Sequence, residues 1–460
     1  MKANPSVLQR GQVLPLASLL IAVAALSWVY LYNGGQIVAA RVRLTHAADA
    51  AAYSGALIQA RALNMQAYIN RAQIAHQVAM AHLATLSAWE AFGATQAGQA
   101  SRGNPPASLI AMLFGPQYGA AYVSARRAGV LGSLAGELEQ AYDGHDRTVH
   151  RILAASSQAV LDTLPAARDQ AMREVLAENY RAKGDTGVVP RLDMLSDGLP
   201  GRQEMAPSSQ GDLQALSLQA AGRYGFLAPR DATARNSWPV SHRCPWKRHE
   251  LRRRGATTMG ADGRWHAHDT LSFHALRSNR WIGCYFREYP MGWGDTDARP
   301  DRRPARAGQV QPPDDFSEQD FWRWVRQYTD WDIQSGTGNS LADAHAAVDR
   351  RVWQGQGFPR HAMLQEQGPV RLAIAVRMPA HALKTSDAAG AVRVAGDFAF
   401  RALQPREYVH VTSAAETYFA RPHDRDDGRQ ELASLFHPYW QARLSPVNAA
   451  ERRMAGALHD

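Results

Sequence analysis

The chain has 460 residues, of which 45% are apolar and 20% charged, and its formal net charge at pH 7 is +9. This length exceeds what one ordinary core holds and predicts two or three domains. Only one uncharged run is long enough to cross a bilayer, which excludes a polytopic membrane protein. The composition instead indicates a single-pass anchor that carries a large water-exposed part.

That apolar run occupies residues 13–32 and contains no charged side chain. A helix of about 20 such residues matches the hydrocarbon thickness of a bilayer. Trp28, Tyr30 and Tyr32 crowd its C-terminal end, where amphipathic rings favour the membrane–water interface. The run therefore predicts a transmembrane helix.

The residues before the run predict its orientation. Lys2 and Arg10 precede it, and a short basic segment favours the cytoplasmic side, which would place the rest of the chain across the membrane. The alternative is a cleaved signal peptide, with A-V-A at residues 22–24 as its small-residue site. Because the apolar run continues for eight residues beyond that site, an anchor fits better.

Residues 36–99 predict one long helix, since alanine dominates and no proline occurs between Pro15 and Pro105. Gly34–Gly35 is a candidate joint between the membrane segment and this helix. Alternating steps of four and three select a seam of mostly apolar, often small residues that permit close approach of a partner. Its first members are Leu44, Ala48, Ala51, Gly55, Ile58, Ala62, Met65 and Ile69.

Two questions about this helix stay open from the residues alone. The seam lacks the flanking charges of a conventional coiled coil, so either later helices of the same chain or neighbouring subunits would cover it. Asp49 stands in an otherwise apolar stretch and would either pair locally or set the register between subunits.

The composition and the hydrophobic periodicity of the chain change near residue 186. Residues 1–35 predict a cytoplasmic tail and transmembrane helix, 36–185 an alanine-rich helical region, and 186–330 a basic β-rich region. Residues 331–460 predict a C-terminal α+β region, which is either a separate domain or one domain with 186–330. Residues 295–315 predict an exposed loop and 318–328 a short helix. Alternating patterns predict strands at 265–274, 283–286, 370–378, 391–400 and 408–412. The fold class is therefore α+β: a single transmembrane helix continues into a long helix and a helical bundle, and a mostly antiparallel sheet domain follows.

The chain contains two cysteines, Cys244 and Cys284. If the bulk of the chain lies in an oxidising compartment, they would pair, and a loop of about 40 residues would gain roughly 4 kcal/mol in the chain-entropy model. The alternative is two buried free thiols. The spacing does not match a zinc ribbon or a redox C-x-x-C site.

Much of the positive charge falls in one cluster that could bind phosphates or anionic head groups, although no nucleic-acid fold signature accompanies it. The cluster consists of Arg243, Lys247, Arg248, Arg252, Arg253 and Arg254. We therefore do not expect a nucleic-acid partner.

No G-x-S-x-G, Walker A, G-x-G-x-x-G or H-E-x-x-H motif occurs, so we expect neither an enzyme nor a cofactor, with a dispersed hydrolase site as the open alternative. His266 and His268 share a strand face at a spacing that metal sites use, but a polar face fits better. Residues 424–428, D-R-D-D-G, place glycine at the fifth instead of the sixth position of a calcium loop, which indicates a polar turn.

The N-terminal residues carry a resemblance to a known family. Residues 10–12 read R-G-Q, and residues 43–56, after the apolar span, read R-L-T-H-A-A-D-A-A-A-Y-S-G-A. This arrangement resembles the N-terminus of the TadE/TadG-like family of tight-adherence (Flp) pilus-assembly proteins, over residues 10–63. Residues 431–444, E-L-A-S-L-F-H-P-Y-W-Q-A-R-L, are similar to C-terminal segments of the same proteobacterial group.

The resemblance implies a pilin-like protein of the bacterial inner membrane, with its body in the periplasm, in a pilus or type II secretion-related system. Gly11 is the candidate processing site, but Leu16 stands where prepilins usually carry glutamate. Cleavage by prepilin peptidase, cleavage by signal peptidase and a permanent anchor therefore stay open. No D-x-S-x-S motif occurs, so metal-dependent adhesion does not carry over.

We therefore predict a non-enzymatic, membrane-anchored component in the assembly of a Tad/Flp-type pilus or related secretion system. Its expected partners are the inner membrane and other pilus-assembly or pilin-like subunits, which the N-terminal helix would contact. The alternative is an anchored periplasmic binding or adhesion module for polyanionic or polysaccharide ligands.

Overall fold

A computed structural model of the chain describes residues 13–128, 134–181, 188–206, 212–280, 283–300, 350–386 and 408–457. The helices in this part are α1 (Val13–Arg102), α2 (Ala107–Phe114), α3 (Pro116–Ala128), α4 (Ala135–Arg147), α5 (Ala154–Tyr180), α6 (Leu213–Ala221) and α7 (Ala449–Ala457). A π-helical turn, Thr148–Leu153, joins α4 to α5.

The strands are β1 (Arg191–Asp197), β2 (Gln203–Ala206), β3 (Ala232–Arg235), β4 (Glu250–Met259), β5 (Trp265–Asn279), β6 (Gly283–Arg299), β7 (Arg350–Gln354), β8 (His361–Leu364), β9 (Val370–Pro379), β10 (Tyr408–Phe419) and β11 (Trp440–Ser445). They form a four-stranded sheet, a five-stranded sheet and the two-stranded pair β2–β8.

Helix α1 is continuous over 90 residues. Gly34 and Gly35 do not interrupt it, because alanine-rich sequence on both sides makes up for the helix propensity that two glycines lose. Pro15 lies in the first turn, where no helical N–H bond is lost. The helix ends at Arg102, and the next residue, Gly103, has φ of 63°, a left-handed conformation that suits glycine at a helix terminus.

The chain forms two compact units. The first comprises Met1–Tyr68, Ala159–Glu204 and Met363–Asp460, and the second comprises Ile69–Gln158 and Met205–Ala362. Both units therefore contain part of α1. The division into four regions drawn from the sequence stays a prediction.

The first unit contains the four-stranded sheet in the order β1-β9-β10-β11, with every neighbouring pair antiparallel. Strand β9 is central and is buried along most of its length, as its near-continuous apolar sequence leads one to expect. Its Leu372, Ile374 and Val376 pack in one cluster with Met172 and Leu176 of α5 and with the small-residue face of α1.

The second unit contains the five-stranded sheet in the order β3-β4-β5-β6-β7, antiparallel except for the parallel pair β6–β7. Trp265 of β5 and Trp353 of β7 pack with Ala84 and Ala88 of α1 in one core cluster. Bulky sheet residues thus meet small helix residues, which lets the helix backbone approach closely.

The mixed α+β fold, the long apolar N-terminal helix and the mostly antiparallel sheets confirm the coarse fold class predicted from the sequence. The pilin-like character of the helical region stays a prediction. The predicted strands 370–378 and 408–412 lie in β9 and β10. Residues 318–328 and 391–400 lie outside the described part.

The prediction of an exposed loop from residue 295 was wrong for its first residues, because β6 continues to Arg299. The charged residues there are paired across the sheet. Asp295 Oδ2 lies 2.9 Å from Nε2 of His266 on β5, and residues 295–299 also pair with β7. A partner strand and a side-chain partner thus stabilise a segment whose composition alone favours a loop.

Candidate functional site on the N-terminal helix

The first part of α1 has the properties of a membrane-spanning segment. Among the described helices it is the one long and apolar enough to cross a membrane, and its most apolar stretch is not buried by the rest of the described chain. Leu14, Leu20 and Trp28 are exposed. Exposure of so many large apolar side chains is costly in water and is typical of a surface that lipid or protein covers.

The folded part of the first unit begins where this segment ends. Asn33 is the first fully buried residue among the described residues of α1, and its side-chain amide bonds reciprocally to Ser386. Asn33 Nδ2 donates to Ser386 Oγ at 2.8 Å, and Ser386 N donates to Asn33 Oδ1 at 2.8 Å. Tyr32 Oη donates to the Lys384 carbonyl at 3.1 Å. Polar contacts therefore hold the helix just beyond its apolar run.

The predicted packing seam lies mainly in the protein interior. Most of its residues are buried, two are half-buried, and one is half exposed. Leu44, Ala48, Ala51, Gly55 and Ile69 are buried, Ile58 and Ala62 are half-buried, and Met65 is 50% exposed.

The first unit supplies the cover for the N-terminal part of this seam. A Cβ atom placed on Gly55 would lie 2.6 Å from Met172 Sδ of α5 and 3.4 Å from Leu372 Cδ2 of β9. Ser413 Oγ of β10 donates to Asp49 Oδ1 at 2.6 Å. Within the described residues, the chain's own elements therefore cover the N-terminal part of the seam and give Asp49 a partner in the same chain.

Side-chain amides of α1 form a feature that the search for an apolar seam missed. In the first unit, Asn64 Nδ2 donates to the Trp440 carbonyl at 2.9 Å, and Trp440 N donates to Asn64 Oδ1 at 3.0 Å. Gln59 Nε2 donates to the Val370 carbonyl at 3.4 Å. These bonds satisfy main-chain groups at strand ends that lie against the helix.

The same device recurs in the second unit. Asn70 Nδ2 donates to the Ala362 carbonyl at 2.9 Å, and Gln73 Nε2 donates to the Arg360 carbonyl at 3.1 Å. Gln77 Oε1 accepts a hydrogen bond from the Trp265 indole at 3.1 Å. The signal in the sequence is the spacing of the buried amides, which recur at helical intervals. They are Gln59, Gln66, Asn70, Gln73 and Gln77.

Opposite this buried side, α1 exposes apolar residues in the first unit. Tyr53, Leu57, Met65 and Tyr68 follow at steps of four, eight and three, so they lie along one helix face, with exposed Arg61 between them. We call these four apolar residues the exposed stripe. Contiguous exposed apolar side chains on a surface commonly mark an interaction site.

We expect Gly55→Leu to lower the free energy of unfolding by about 1–3 kcal/mol, because Met172 occupies the space that a side chain would need. Chemical denaturation of the detergent-solubilised full chain measures this change. Gly35→Leu is the matched control, since a Cβ there meets nothing within 4 Å. Both variants gain the same helix propensity, so equal stabilities would contradict the contact.

Cys244 and Cys284 form a disulfide, with Cα atoms 6.0 Å apart. Both pack in a small cluster with Val240, Leu276 and Phe286. The bond joins the segment before β4 to the start of β6, and it closes a loop with a sequence separation of 40. A long closed loop restricts the unfolded chain and so stabilises the folded one.

Replacing both cysteines, in Cys244→Ala/Cys284→Ala, should lower the free energy of unfolding by about 4 kcal/mol because the loop closure is lost. Denaturation of the oxidised full chain and of the variant measures the difference. The chemically reduced wild-type chain is the control and should lose a similar amount. An unchanged denaturation midpoint in both would contradict a stabilising bond.

The histidines singled out on β5 belong to polar contacts. The rings of His266 and His268 lie 5.6 Å apart, and His266 pairs with Asp295. In the described part of the chain no three His, Cys, Asp or Glu residues form a group that could hold a metal ion. The polar face predicted for this strand is buried toward the C-terminal end of β5. There Ser272 Oγ lies 2.8 Å from His274 Nε2 in the interior.

Residues 424–428 form an exposed turn with Gly428 at φ of 67°. Both side-chain oxygens of Asp427 accept hydrogen bonds from Arg425, at 2.9 and 2.8 Å. Those bonds, with a further one from the Arg429 main-chain N–H, lower the pKa of Asp427 to about 2. The turn's acidic group is thus held by an arginine.

A histidine pair joins α1 to α4 in the second unit. His76 Nδ1 lies 2.7 Å from His145 Nδ1, so one ring must donate its proton and the other must accept it. Burial lowers the pKa of His145, and burial together with the charge of His145 lowers the pKa of His76. The pair is therefore stable only while at least one imidazole is neutral.

This pair predicts an acid-sensitive contact. Below pH 6.5 the unfolded chain binds more protons than the folded one at these two sites, so the free energy of unfolding should fall as the pH falls until it passes the lowered pKa values. Thermal denaturation between pH 7.5 and pH 5 measures the slope. His76→Gln should make the slope shallower, whereas His381→Gln, at an exposed position in the other unit, should leave it unchanged. Equal slopes for all three chains would contradict the assignment.

The candidate processing residue Gly11 lies outside the described part of the chain. No protein-family model, no curated protein and no solved structure matches the sequence or the fold.

Proposed function

We propose that the chain is a non-enzymatic, membrane-anchored, pilin-like component that acts in the assembly of a Tad/Flp-type pilus or a related secretion system. The observation that supports this most directly is the construction of α1. An uncovered apolar segment continues without a break into a helix whose small-residue face lies in a protein core. A subunit built this way can hold its body close to the membrane and present the outer face of the same helix to neighbours.

The compartment in this proposal is the periplasm, with α1 in the bacterial inner membrane as a single span. The disulfide between Cys244 and Cys284 supports it, because such bonds persist in oxidising compartments and are rare in the cytosol. The basic residues Lys2 and Arg10 before the span favour a cytoplasmic N-terminus. Both observations favour the same orientation.

The exposed stripe is the surface that we assign to contacts with other pilus-assembly or pilin-like subunits. The N-terminal part of the seam is unavailable, since α5, β9 and β10 cover it, and of the seam residues between Leu44 and Ile69 only Met65 also belongs to the exposed stripe. Leu57 and Met65 lie eight residues apart, about two helical turns, with their side chains outside the core. A neighbouring helix could cover both while its own membrane segment lies alongside.

The test replaces the two aliphatic members of the stripe by charge, in Leu57→Glu and Met65→Glu. Each change should weaken subunit contact by roughly tenfold or more, because an apolar contact is lost and a carboxylate must be desolvated. Subunit contact is measured by cross-linking, in the native membrane, between copies that carry Arg61→Cys. Assembly is measured by the number of surface pili.

Met454→Glu is the matched control, because Met454 is exposed on α7 and undergoes the same chemical change outside the stripe. Folding is checked by protease resistance of the detergent-solubilised chains, which should be equal for all variants. Normal cross-linking and normal pili in both stripe variants would overturn the proposed interface. Normal pili in cells that lack the whole chain would overturn the proposed function.

A further inference from the structure

The segment between β3 and β4, residues 236–249, is a long loop held firmly at its base; we call it the Trp246 loop. His249 N donates to Asn236 Oδ1 at 2.8 Å, and Asn236 N donates to the His249 carbonyl at 3.3 Å, which closes the two ends on each other. Nearer the tip, the disulfide ties Cys244 to Cys284 of β6. The loop therefore presents its tip from a fixed frame.

The tip exposes an aromatic side chain. Trp246 is 93% exposed, more than any other large apolar side chain in the described residues, and it follows the buried Cys244 by two positions. Trp238, on the same loop, is 43% exposed. Tryptophan is usually largely covered, and an indole at a rigid tip gains nothing for folding. Its position therefore points to an external partner.

Three cations flank Trp246 in the sequence of this loop and have no carboxylate partner. Across the described ranges, no Asp or Glu oxygen lies within salt-bridge distance of Arg243, Lys247 or Arg248, whereas Arg252 of β4 pairs with Glu250 at 2.9 Å. Arg248 Nη1 donates only to main-chain carbonyls, at 2.6 and 3.0 Å. On β4, Arg252 and Arg253 thus lie near carboxylates, whereas the three loop cations do not. Lys247 Nζ lies 5.8 Å from the centroid of the Phe286 ring.

Charge and shape together identify the partner. Three cations without carboxylate partners on one loop favour an anionic partner. An indole that is 93% exposed does not line a cleft, whereas sites for small ligands are concave. Indole rings favour the interface of a bilayer, and lysine and arginine beside them bind the phosphates of anionic lipids.

We propose that the Trp246 loop docks on the surface of a bilayer that contains anionic phospholipids. The indole of Trp246 inserts at the level of the head groups, and Arg243, Lys247 and Arg248 lie against lipid phosphates. The disulfide keeps the tip ordered before docking, so little conformational entropy is lost on contact. This inference does not depend on pilus assembly, because it needs only the loop and a bilayer.

The experiment uses the full chain with α1 already embedded in nanodiscs of phosphatidylcholine, so the membrane segment cannot insert elsewhere. Co-sedimentation with vesicles measures docking by the loop. We expect binding to vesicles of phosphatidylcholine mixed with phosphatidylglycerol, no binding to vesicles of phosphatidylcholine alone, and weaker binding as salt rises.

Two variants test the two parts of the surface. Trp246→Ala should lower the affinity by roughly tenfold or more through loss of apolar burial, and Lys247→Gln/Arg248→Gln by about twenty-five-fold, at about fivefold per cation. The matched control is Arg223→Gln/Tyr224→Ala, an exposed cation and aromatic ring outside the loop, which should bind like the wild type. An unchanged thermal denaturation midpoint checks that each variant is folded.

Any of three results would overturn the proposal. The first is vesicle binding that Trp246→Ala leaves unchanged, and the second is no preference for phosphatidylglycerol. The third is tight binding of soluble polyphosphate that does not depend on Trp246, which would assign the cations to a dissolved polyanion. Loss of vesicle binding with normal pilus assembly would leave the proposed function intact, so the two failures are distinguishable.

Discussion

The close approach of the α1 backbone to its neighbours is the constraint on which the rest of the structure depends. Alanine and glycine on the buried face of this helix leave little side-chain volume, so partner elements must supply the bulk of each core. In the first unit Met172, Leu372 and Ile374 do so, and in the second Trp265 and Trp353. Interiors are close-packed, so a small residue on one side requires a large one on the other.

Close approach also explains the buried amides on α1. When a helix lies directly against loops and strand ends, main-chain carbonyls there lose contact with water and need donors. Asn64, Asn70 and Gln73 provide them at 2.9–3.1 Å, and each such bond contributes about 1 kcal/mol net. Leaving the acceptors unpaired would cost more than the bonds contribute, so the amides specify register as well as stability.

The structure places two surfaces with different chemistry outside these cores. The exposed stripe of α1 is apolar and lies on the helix that also carries the candidate membrane span. The Trp246 loop is cationic and aromatic and is fixed by a disulfide. Both surfaces expose side chains that are suited to binding other molecules, which agrees with the proposed structural or assembly role. Because the N-terminal part of the seam is covered, a neighbouring subunit in the proposed assembly would contact the outer face of α1 instead.

Helix α1, the mostly antiparallel sheets and the strands β5 and β9 follow from local sequence patterns, because charge-free runs, the lack of proline and two-residue alternation are local properties. The cover of the seam by α5, β9 and β10, the continuation of β6 to Arg299 and the bonds from amides of α1 to distant carbonyls follow only from the three-dimensional packing. Asp49 meets Ser413 across 364 positions, and Cys244 meets Cys284 across 40. Periodicity shows which face of an element needs a partner. It does not show which distant segment becomes that partner, since that choice depends on how volumes and polar groups fit across the whole fold.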